Sequence, residues 1–597
     1  MTGQNPKAPA GRNKEWEPAR ILKEYRRGVQ FKNGLGKRGL YEQNRINERF
    51  FAGDQWHGAH CGEDRPLVRY NLLKRIGEYK MAVIGSSPLA VAYSADGVPN
   101  TLEVQREAKR RRDSIRSGSR TPEMTRDETL PGDEEISLVM SALSDYFRVT
   151  AERVKFDRLR EEALRNAYCS GTGILYTWWD ESIRTGLYAD LSRSQPITGD
   201  IVCEVLDVEN VYFGDPNSDD IQGQPYLLIA QRRSVRDLRR EAARWGAGRD
   251  ELERIVPDRD PACEPGACGS GELDLSEKTT VLTRMWKERA PDGSVRTVKA
   301  IRITSTGAVV RPEWELGIRL YPLAAFSWER RKGCAYGESE ITYLIPNQIA
   351  VNRMLTASVW SAMMTGMPIM VVDGDVVPDR ITNDPGQIIR IFGGGEPHQA
   401  VQYIHPPAVS SAFEGMTASL VNGTLTQAGA NSVALGDVRP DNTSAIIAAR
   451  EASTLPLQLI QSRFYGLCED VARIWAEFWV MKYGDRALKL EDGDGVWYLP
   501  FRGERYRDLL ISVRIDVGAS TMWSESQSLQ TLDNLFDRGV IDTLQYLSRL
   551  PKGTVPDITG LMQEIKKAPV AGQGPDKEES NRTAPSQPKD GGKRSSR

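Results

Sequence analysis

Apolar and polar positions between residues 337 and 483 alternate in a definite order of helical and strand-like patterns. Ile460, Phe464, Leu467, Val471, Ile474, Phe478 and Met481 recur at steps of four and three. That spacing places them on one stripe of a long helix. Arg463, Glu469, Asp470, Arg473 and Glu477 fall mostly off the stripe. Asn442 or Thr443 is suited to cap its start, by accepting bonds from orphan backbone N–H groups. Pro456 predicts a kink, because proline lacks a donor and clashes with the carbonyl one turn back. Gly484 predicts the end. Upstream, Ile341, Leu344, Ile345, Ile349, Val351, Leu355 and Val359 give another helix a broad apolar face, with a bend at Pro346. No charge occurs from Met354 to Val372, but Thr356, Ser358, Ser361, Thr365, Gly366 and Pro368 dilute this window. It therefore reads as a helix buried by protein neighbours and not as a membrane span.

Between these helices, residues 368–372, 387–391 and 401–404 are short strand candidates, separated by turns rich in Gly, Asp and Pro. Residues 408–428 return to helical spacing through Phe413, Met416, Leu420 and Leu425. Residues 429–441 break the pattern and carry one cation, Arg439.

The rest of the chain mixes both periods, which predicts an α+β protein. Residues 1–20 are polar, without the apolar core of a secretory signal, and are expected to be disordered. Residues 21–56 and 136–168 read as helices, and 65–86 as strand or helix. Strands are expected at 89–93, 171–179 and 201–206, followed by a turn at 207–216. Residues 226–231 lead into a short helix that runs through 245. Residues 281–286, 295–303 and 320–328 alternate as one antiparallel set. Strands at 496–499 and 509–517 and a helix at 524–550 follow. Residues 97–134, 246–275 and 567–597 are rich in charge, Ser, Pro or Gly and are expected to be mobile, since little apolar surface offsets the entropy of ordering them.

Composition narrows the function classes. At 597 residues, the chain needs several domains or subdomains. Lys and Arg number 79 against 81 Asp and Glu, so no global basic field exists for tight nonspecific DNA binding. The 7 Cys are scattered and odd in number, which fits a reducing compartment and not a disulfide framework. Cys263 and Cys268, or His57 and His60 beside Cys61, would each need further distant ligands to hold zinc. Gly34-Leu-Gly-Lys-Arg-Gly39 lacks the Lys-Ser/Thr ending of a phosphate loop. Asp373 and Asp375 could pair as in two-metal phosphoryl transfer, but Asp-Gly-Asp is also what a turn requires. No Ser-His-Asp or Cys-His set can be argued from spacing. The expectation is no catalytic residue, no metal and no cofactor.

Five stretches, taken in order, resemble the portal proteins of tailed bacteriophages. They are Phe50-Phe-Ala-Gly-Asp-Gln-Trp56, Asp207-Val-Glu-Asn-Val-Tyr-Phe-Gly-Asp-Pro216, the run from Gly337 to Arg353, Asn442-Thr-Ser-Ala-Ile-Ile-Ala-Ala-Arg-Glu451, and Asp516-Val-Gly-Ala-Ser520 ahead of residues 529–539. The signal is their order over roughly residues 40–550, not any one motif. The resemblance implies a portal fold assembled as a homo-oligomeric ring, a dodecamer, with double-stranded DNA passing through its centre. It implies a wing from 21–336 and 484–520, a stem helix at 337–366, a clip at 367–407 and a second stem helix at 408–428. A tunnel loop at 429–442, a kinked core helix at 443–483 and a short helical crown at 521–566 complete the map. Asn431, Ser432, Arg439 and Asn442 would face DNA. Asp373, Asp375, Asp379, Arg380 and Arg390 would meet the terminase large subunit and later the head-completion adaptor. Major capsid and scaffolding proteins would be further partners. The ring would sit at a capsid vertex of the virion after assembly in host cytoplasm, with no membrane and no enzymatic activity of its own. Two other readings fit the same residues: a metal-dependent nucleic-acid-processing enzyme using Asp373 and Asp375, or another capsid or tail ring component.

Overall fold

The computed structural model describes residues 18–56, 67–86, 89–95, 133–188, 196–258, 277–366, 369–372, 375, 401–404, 411–430, 454–483, 486–492, 495–507, 509, 511–517 and 522–550. Contacts divide the chain into two units, Met1–Ser520 and Thr521–Arg597. Helix and sheet are mixed throughout the first unit, as an α+β protein requires.

The first unit opens with α1 (Pro18–Asn33) and α2 (Leu40–Ala52). The single helix expected over 21–56 is thus two. Gly36 and Gly39 lie between them with φ of 70° and 79°, a left-handed backbone that glycine adopts without steric penalty. Next come α3 (Leu72–Gly85), β1 (Leu89–Ala95), α4 (Asp133–Val154) and α5 (Phe156–Ser170). The run over 136–168 is likewise split, at Lys155 with φ 55°. The chain continues through β2 (Thr172–Tyr188), β3 (Pro196–Leu206), β4 (Val211–Phe213), β5 (Leu227–Ser234), α6 (Val235–Arg244) and α7 (Arg249–Arg254). Helix α7 occupies part of the stretch expected as a loop over 246–275. Ile255 behind it is fully buried, and this holds the segment down.

Strands β6 (Lys278–Arg289), β7 (Val295–Thr304), β8 (Val309–Glu315) and β9 (Leu323–Ser327) follow. The first three complete a five-stranded antiparallel sheet in the order β4-β5-β6-β7-β8. Strand β9 pairs instead with β2, in a three-stranded sheet ordered β3-β2-β9. The expected antiparallel set over 281–328 is therefore wrong in its last member. Alternation marks a strand as half-buried, but it does not say which edge the strand will join. After α8 (Glu340–Gly366) come β10 (Ile369–Val372), β11 (Val401–Ile404), α9 (Ser411–Gln427), α10 (Gln458–Lys482), β12 (Arg486–Asp492), β13 (Gly495–Phe501) and β14 (Ile511–Val517). Three two-stranded sheets pair β1 with β14, β10 with β11 and β12 with β13.

Helix α10 is the spine of the largest core cluster. Its stripe residues Phe464, Leu467, Val471, Ile474 and Phe478 are buried, and so are Cys468, Ala472, Trp475 and Trp479. The buried arc is wider than the stripe because β2, β9, β14 and α3 all touch this helix. Pro456 lies in a 3-10 turn (Leu455–Leu457) directly ahead of α10, where its missing N–H removes no bond from the helix proper. The segment 443–453 lies outside the described residues, as does Gly484.

The five-stranded sheet is covered on both faces. Leu282 and Trp286 of β6 pack with Ile21 and Tyr25 of α1, and Met285 packs on the opposite side with Leu40, Val298 and Tyr336. This is why β6 is buried from Thr279 to Trp286, its Thr residues and Arg284 included. Arg284 is buried on the α1 side and pairs with Glu24 at 2.7 Å.

Lys32 of α1 is fully buried. Its ammonium donates to the carbonyls of Val208 and Glu209 at 2.7 and 2.9 Å and sits 3.7 Å from the Tyr212 ring centroid. The Asp207–Pro216 motif is thus a structural joint. Asp207 accepts from the Glu209 N–H, Val211 and Phe213 enter the core, and Tyr336 donates its hydroxyl to the Val211 carbonyl. Burial and the neighbouring Asp207 push the Glu209 carboxyl up to about 7. A raised carboxyl means that the folded state holds a proton which the unfolded chain has released. Stability should therefore fall as pH rises from roughly 4, the ordinary carboxylate range, to about 7, and level off above that. Urea midpoints of wild type across this range should slope downward, and those of Glu209→Gln should be flatter. Parallel slopes would remove Glu209 from this role.

The second unit contains α11 (Met522–Asp537) and α12 (Thr543–Arg549). Gly539, with φ 67°, divides the helix expected over 524–550. Phe536 packs on Tyr546 at 4.9 Å between ring centroids, and the Tyr546 hydroxyl donates to Asp533 at 2.6 Å.

Candidate functional site

The run from Gly337 to Arg353 builds the root of α8, and its polar residues do most of the holding. Gly337 must lack a Cβ, since one there would meet the Gly171 carbonyl oxygen at 2.2 Å. Ser339 caps the helix. Its Oγ accepts from the Ile341 N–H at 3.1 Å and donates to the Tyr168 carbonyl at 2.6 Å. Glu340, in the first turn, is buried. It pairs with Lys80 of α3 at 2.5 Å and accepts from the Trp328 indole N–H at 3.2 Å. A carboxylate is favoured there by the helix dipole as well as by Lys80.

Gln348, Asn352 and Thr356 are spaced by four and share one face of α8. That face binds the extended segment ahead of α3 as another strand would. Gln348 accepts from the Leu72 N–H at 2.9 Å and donates to the Tyr70 carbonyl at 2.6 Å. Asn352 accepts from the Tyr70 N–H at 3.0 Å, and Thr356 accepts from the Val68 N–H at 3.1 Å. Asn352 also donates to Gln55 at 2.5 Å, and the Trp56 indole donates to the Val68 carbonyl at 3.0 Å. The Phe50–Trp56 motif thus forms the other half of this joint. Gln348 and Asn352 are almost fully buried, and each bond they make satisfies a backbone or amide group that would otherwise be orphaned.

Beyond Asn352 the character of α8 changes. Ile341, Leu344 and Val351 are buried, but Val359 and Met363 are 39% and 44% exposed. Helix α9 lies alongside α8. Asn347 of α8 bonds Thr424 of α9 at 3.2 Å. Strands β10 and β11, which follow α8 and precede α9, pair antiparallel from Ile369↔Ile404 to Val372↔Val401. The result is a helical hairpin with a strand pair in the connection. Met416 of α9 is 63% exposed, and Glu414 is the only charged residue of α9. The outer part of the hairpin therefore carries a single charge on α9, Glu414, and leaves Val359, Met363 and Met416 largely uncovered.

Of the clip residues named from sequence, Asp375 is described and exposed in a turn after β10. Asp373, Asp379, Arg380 and Arg390 lie outside the described residues, as does the strand candidate at 387–391. Asn431, Ser432, Arg439 and Asn442 of the loop lie outside them too, as do residues 97–132, 259–276 and 551–597, and the candidate ligands His57, His60, Cys61, Cys263 and Cys268. Among the described residues, no group of three or more His, Cys, Asp or Glu could hold a metal ion. No helix among them is long and apolar enough to cross a membrane. The residues that sequence reasoning missed are Gln348, Asn352 and Thr356. Their signal was legible: polar side chains at helical spacing inside an apolar face are there to bond something. A scan against protein-family models finds no match for this chain, and a search of curated proteins finds none either.

Proposed function

We propose that this chain is the subunit of a portal-type ring, a dodecamer at one capsid vertex of a tailed phage, through which double-stranded DNA is packaged and ejected. The observation that carries this reading is the α8–α9 hairpin. It is pinned at its root by Glu340, Gln348 and Asn352, yet its outer half presents apolar side chains that one chain leaves uncovered. Long, sparsely charged helices with Val359, Met363 and Met416 exposed are stable in water when neighbouring copies cover them. A hairpin held rigidly at one end is also what a closed heterologous ring needs to repeat one angle at every interface. In this reading the chain is a channel and docking platform and not an enzyme. The connection at 367–407 meets the terminase large subunit and the head-completion adaptor, with Asp373, Asp375, Asp379, Arg380 and Arg390 as contact residues. Capsid and scaffolding proteins surround the ring. Asn431, Ser432, Arg439 and Asn442 face the DNA, where one cation per copy supports weak, replicated phosphate contacts that allow sliding.

Mass photometry and negative-stain microscopy test the ring directly. Wild type should form closed rings at micromolar concentration. Met416→Glu should leave the fold of the single chain within about 0.5 kcal/mol of wild type, because the side chain is exposed. It should nevertheless shift rings to smaller species, because a charge is then buried at every interface. A monodisperse monomer for wild type would sink the proposal.

A further inference from the structure

A groove of about 1300 Å³ runs between the five-stranded sheet, the β2–β3 hairpin, α6 and the end of α10. Among its lining residues, Arg311 stands out. Its guanidinium lies 4.2 Å from the Trp245 ring centroid and 4.1 Å from that of Trp314. Two aromatic rings hold the planar fork in place, as cation–π stacking does. Lys482, at the end of α10, lines the same groove. Neither cation makes a hydrogen bond or a close ion pair with a described residue, and the Arg311 Nε is buried without a partner. By contrast, Arg302 nearby is paired with Glu241 at 2.5 Å. Burial, with Arg302 beside it, pushes the Arg311 guanidinium down against the opposing pull of Glu241 and Glu181, and burial does the same to Lys482 against the pull of Glu181. Both are cations kept partly out of water; Glu181 in the groove wall acts on both at a distance, and Glu241 on Arg311, but neither carboxylate is hydrogen-bonded to them.

We propose that this groove binds an acidic peptide segment, one carboxylate of which is gripped by Arg311 with Lys482 beside it. A planar fork fixed by two rings matches a carboxylate in bidentate geometry. The volume exceeds the roughly 300–1,000 Å³ of small-molecule pockets and suits an extended segment. Tyr176 and Trp178, stacked at 5.5 Å on the same wall, offer apolar surface to a neighbouring side chain of that segment. A nucleic-acid backbone fits less well. Eight Lys or Arg and seven Asp or Glu line the groove, so any continuous run of anions, phosphate or carboxylate, would meet acidic side chains as often as cations, and the site suits a single carboxylate on an otherwise uncharged segment. The groove is lined by residues of one chain, so the site does not depend on ring formation.

The test is fluorescence anisotropy on the full chain with three labelled probes: an acetylated Ala-Leu peptide carrying a single Glu, the same peptide with Gln for Glu, and a single-stranded oligonucleotide. The acidic peptide should bind saturably. The Gln peptide should bind about tenfold more weakly, as loss of a charge-assisted bond predicts. Arg311→Gln and Lys482→Met should each weaken the acidic peptide, whereas Arg249→Gln, a cation on exposed α7 away from the groove, should not. If Arg311→Gln fails to fold, Lys482→Met and the comparison of the two peptides on wild type still decide. Equal binding of both peptides, variants that bind like wild type, or binding of the oligonucleotide alone would each overturn the proposal. Ring size, read separately by mass photometry, bears on the portal reading and not on this site.

Discussion

Lys80→Met is expected to destabilise the first unit by about 3–5 kcal/mol, the usual consequence of breaking one side of a buried ion pair. Lys80 and Glu340 are both nearly inaccessible, and their contact at 2.5 Å closes the root of α8. Without Lys80, the Glu340 carboxylate keeps the Trp328 indole N–H, which donates to it at 3.2 Å, but no opposite charge in contact with it among the described residues. It also lies near Glu329, whose carboxyl is already raised by burial and by the neighbouring Glu340 and Glu338. Methionine fills the space of the lysine stem but supplies no charge. Lys80→Met combined with Glu340→Gln should recover most of the loss, because the uncompensated charge is gone and Trp328 keeps an acceptor. Urea midpoints at constant m-value would measure both variants. A double variant no more stable than Lys80→Met would show that packing, not charge, sets the cost. The same loss should reach assembly, since the angle of the hairpin is defined at this root.

Trp475→Ala is expected to cost a further class of stability, about 3–5 kcal/mol, through the cavity it leaves. Trp475 is fully buried at the centre of α10. Its ring lies 4.9 Å from Phe147, 5.2 Å from Phe156 and 6.4 Å from Trp479, measured between centroids. Its indole N–H donates to the Thr177 hydroxyl at 3.3 Å and so ties the helix to β2. Trp475→Phe should cost much less, since most of the aromatic contact survives and only the bond to Thr177 is lost. Thermal unfolding of the two variants checks this. Equal losses would mean that the hydrogen bond, and not the packed volume, dominates.

The stripe from Ile460 to Met481 was legible because helix period and burial coincide along one element. The same holds for the first part of α8 and for the alternating strands β6 and β7. The boundaries within helical runs were not read. Lys155 in the left-handed region and the Gly34–Gly39 turn divide helices whose apolar period continues across the break. At the candidate site, the exposed apolar side chains Val359, Met363 and Met416 all lay inside stretches assigned to helix, but sequence could not say that they would stay uncovered. The unpaired Arg311 carried no signal, because Trp245 and Trp314 come together with it only when α6 packs beside β8.

By itself, then, the sequence determined element type wherever side chains repeat with a period, since that period is a property of the local backbone. It also determined the near balance of charge, which argues against a continuous basic surface. Tertiary structure alone decided which sheet β9 would join, which backbone groups Gln348, Asn352 and Thr356 would satisfy, and which cations would be left without partners. Those outcomes depend on contacts between residues far apart in the chain, such as Leu72 with Gln348 and Lys80 with Glu340. No local pattern encodes them, because a hydrogen-bond partner is chosen by where two elements meet and not by the spacing within either one.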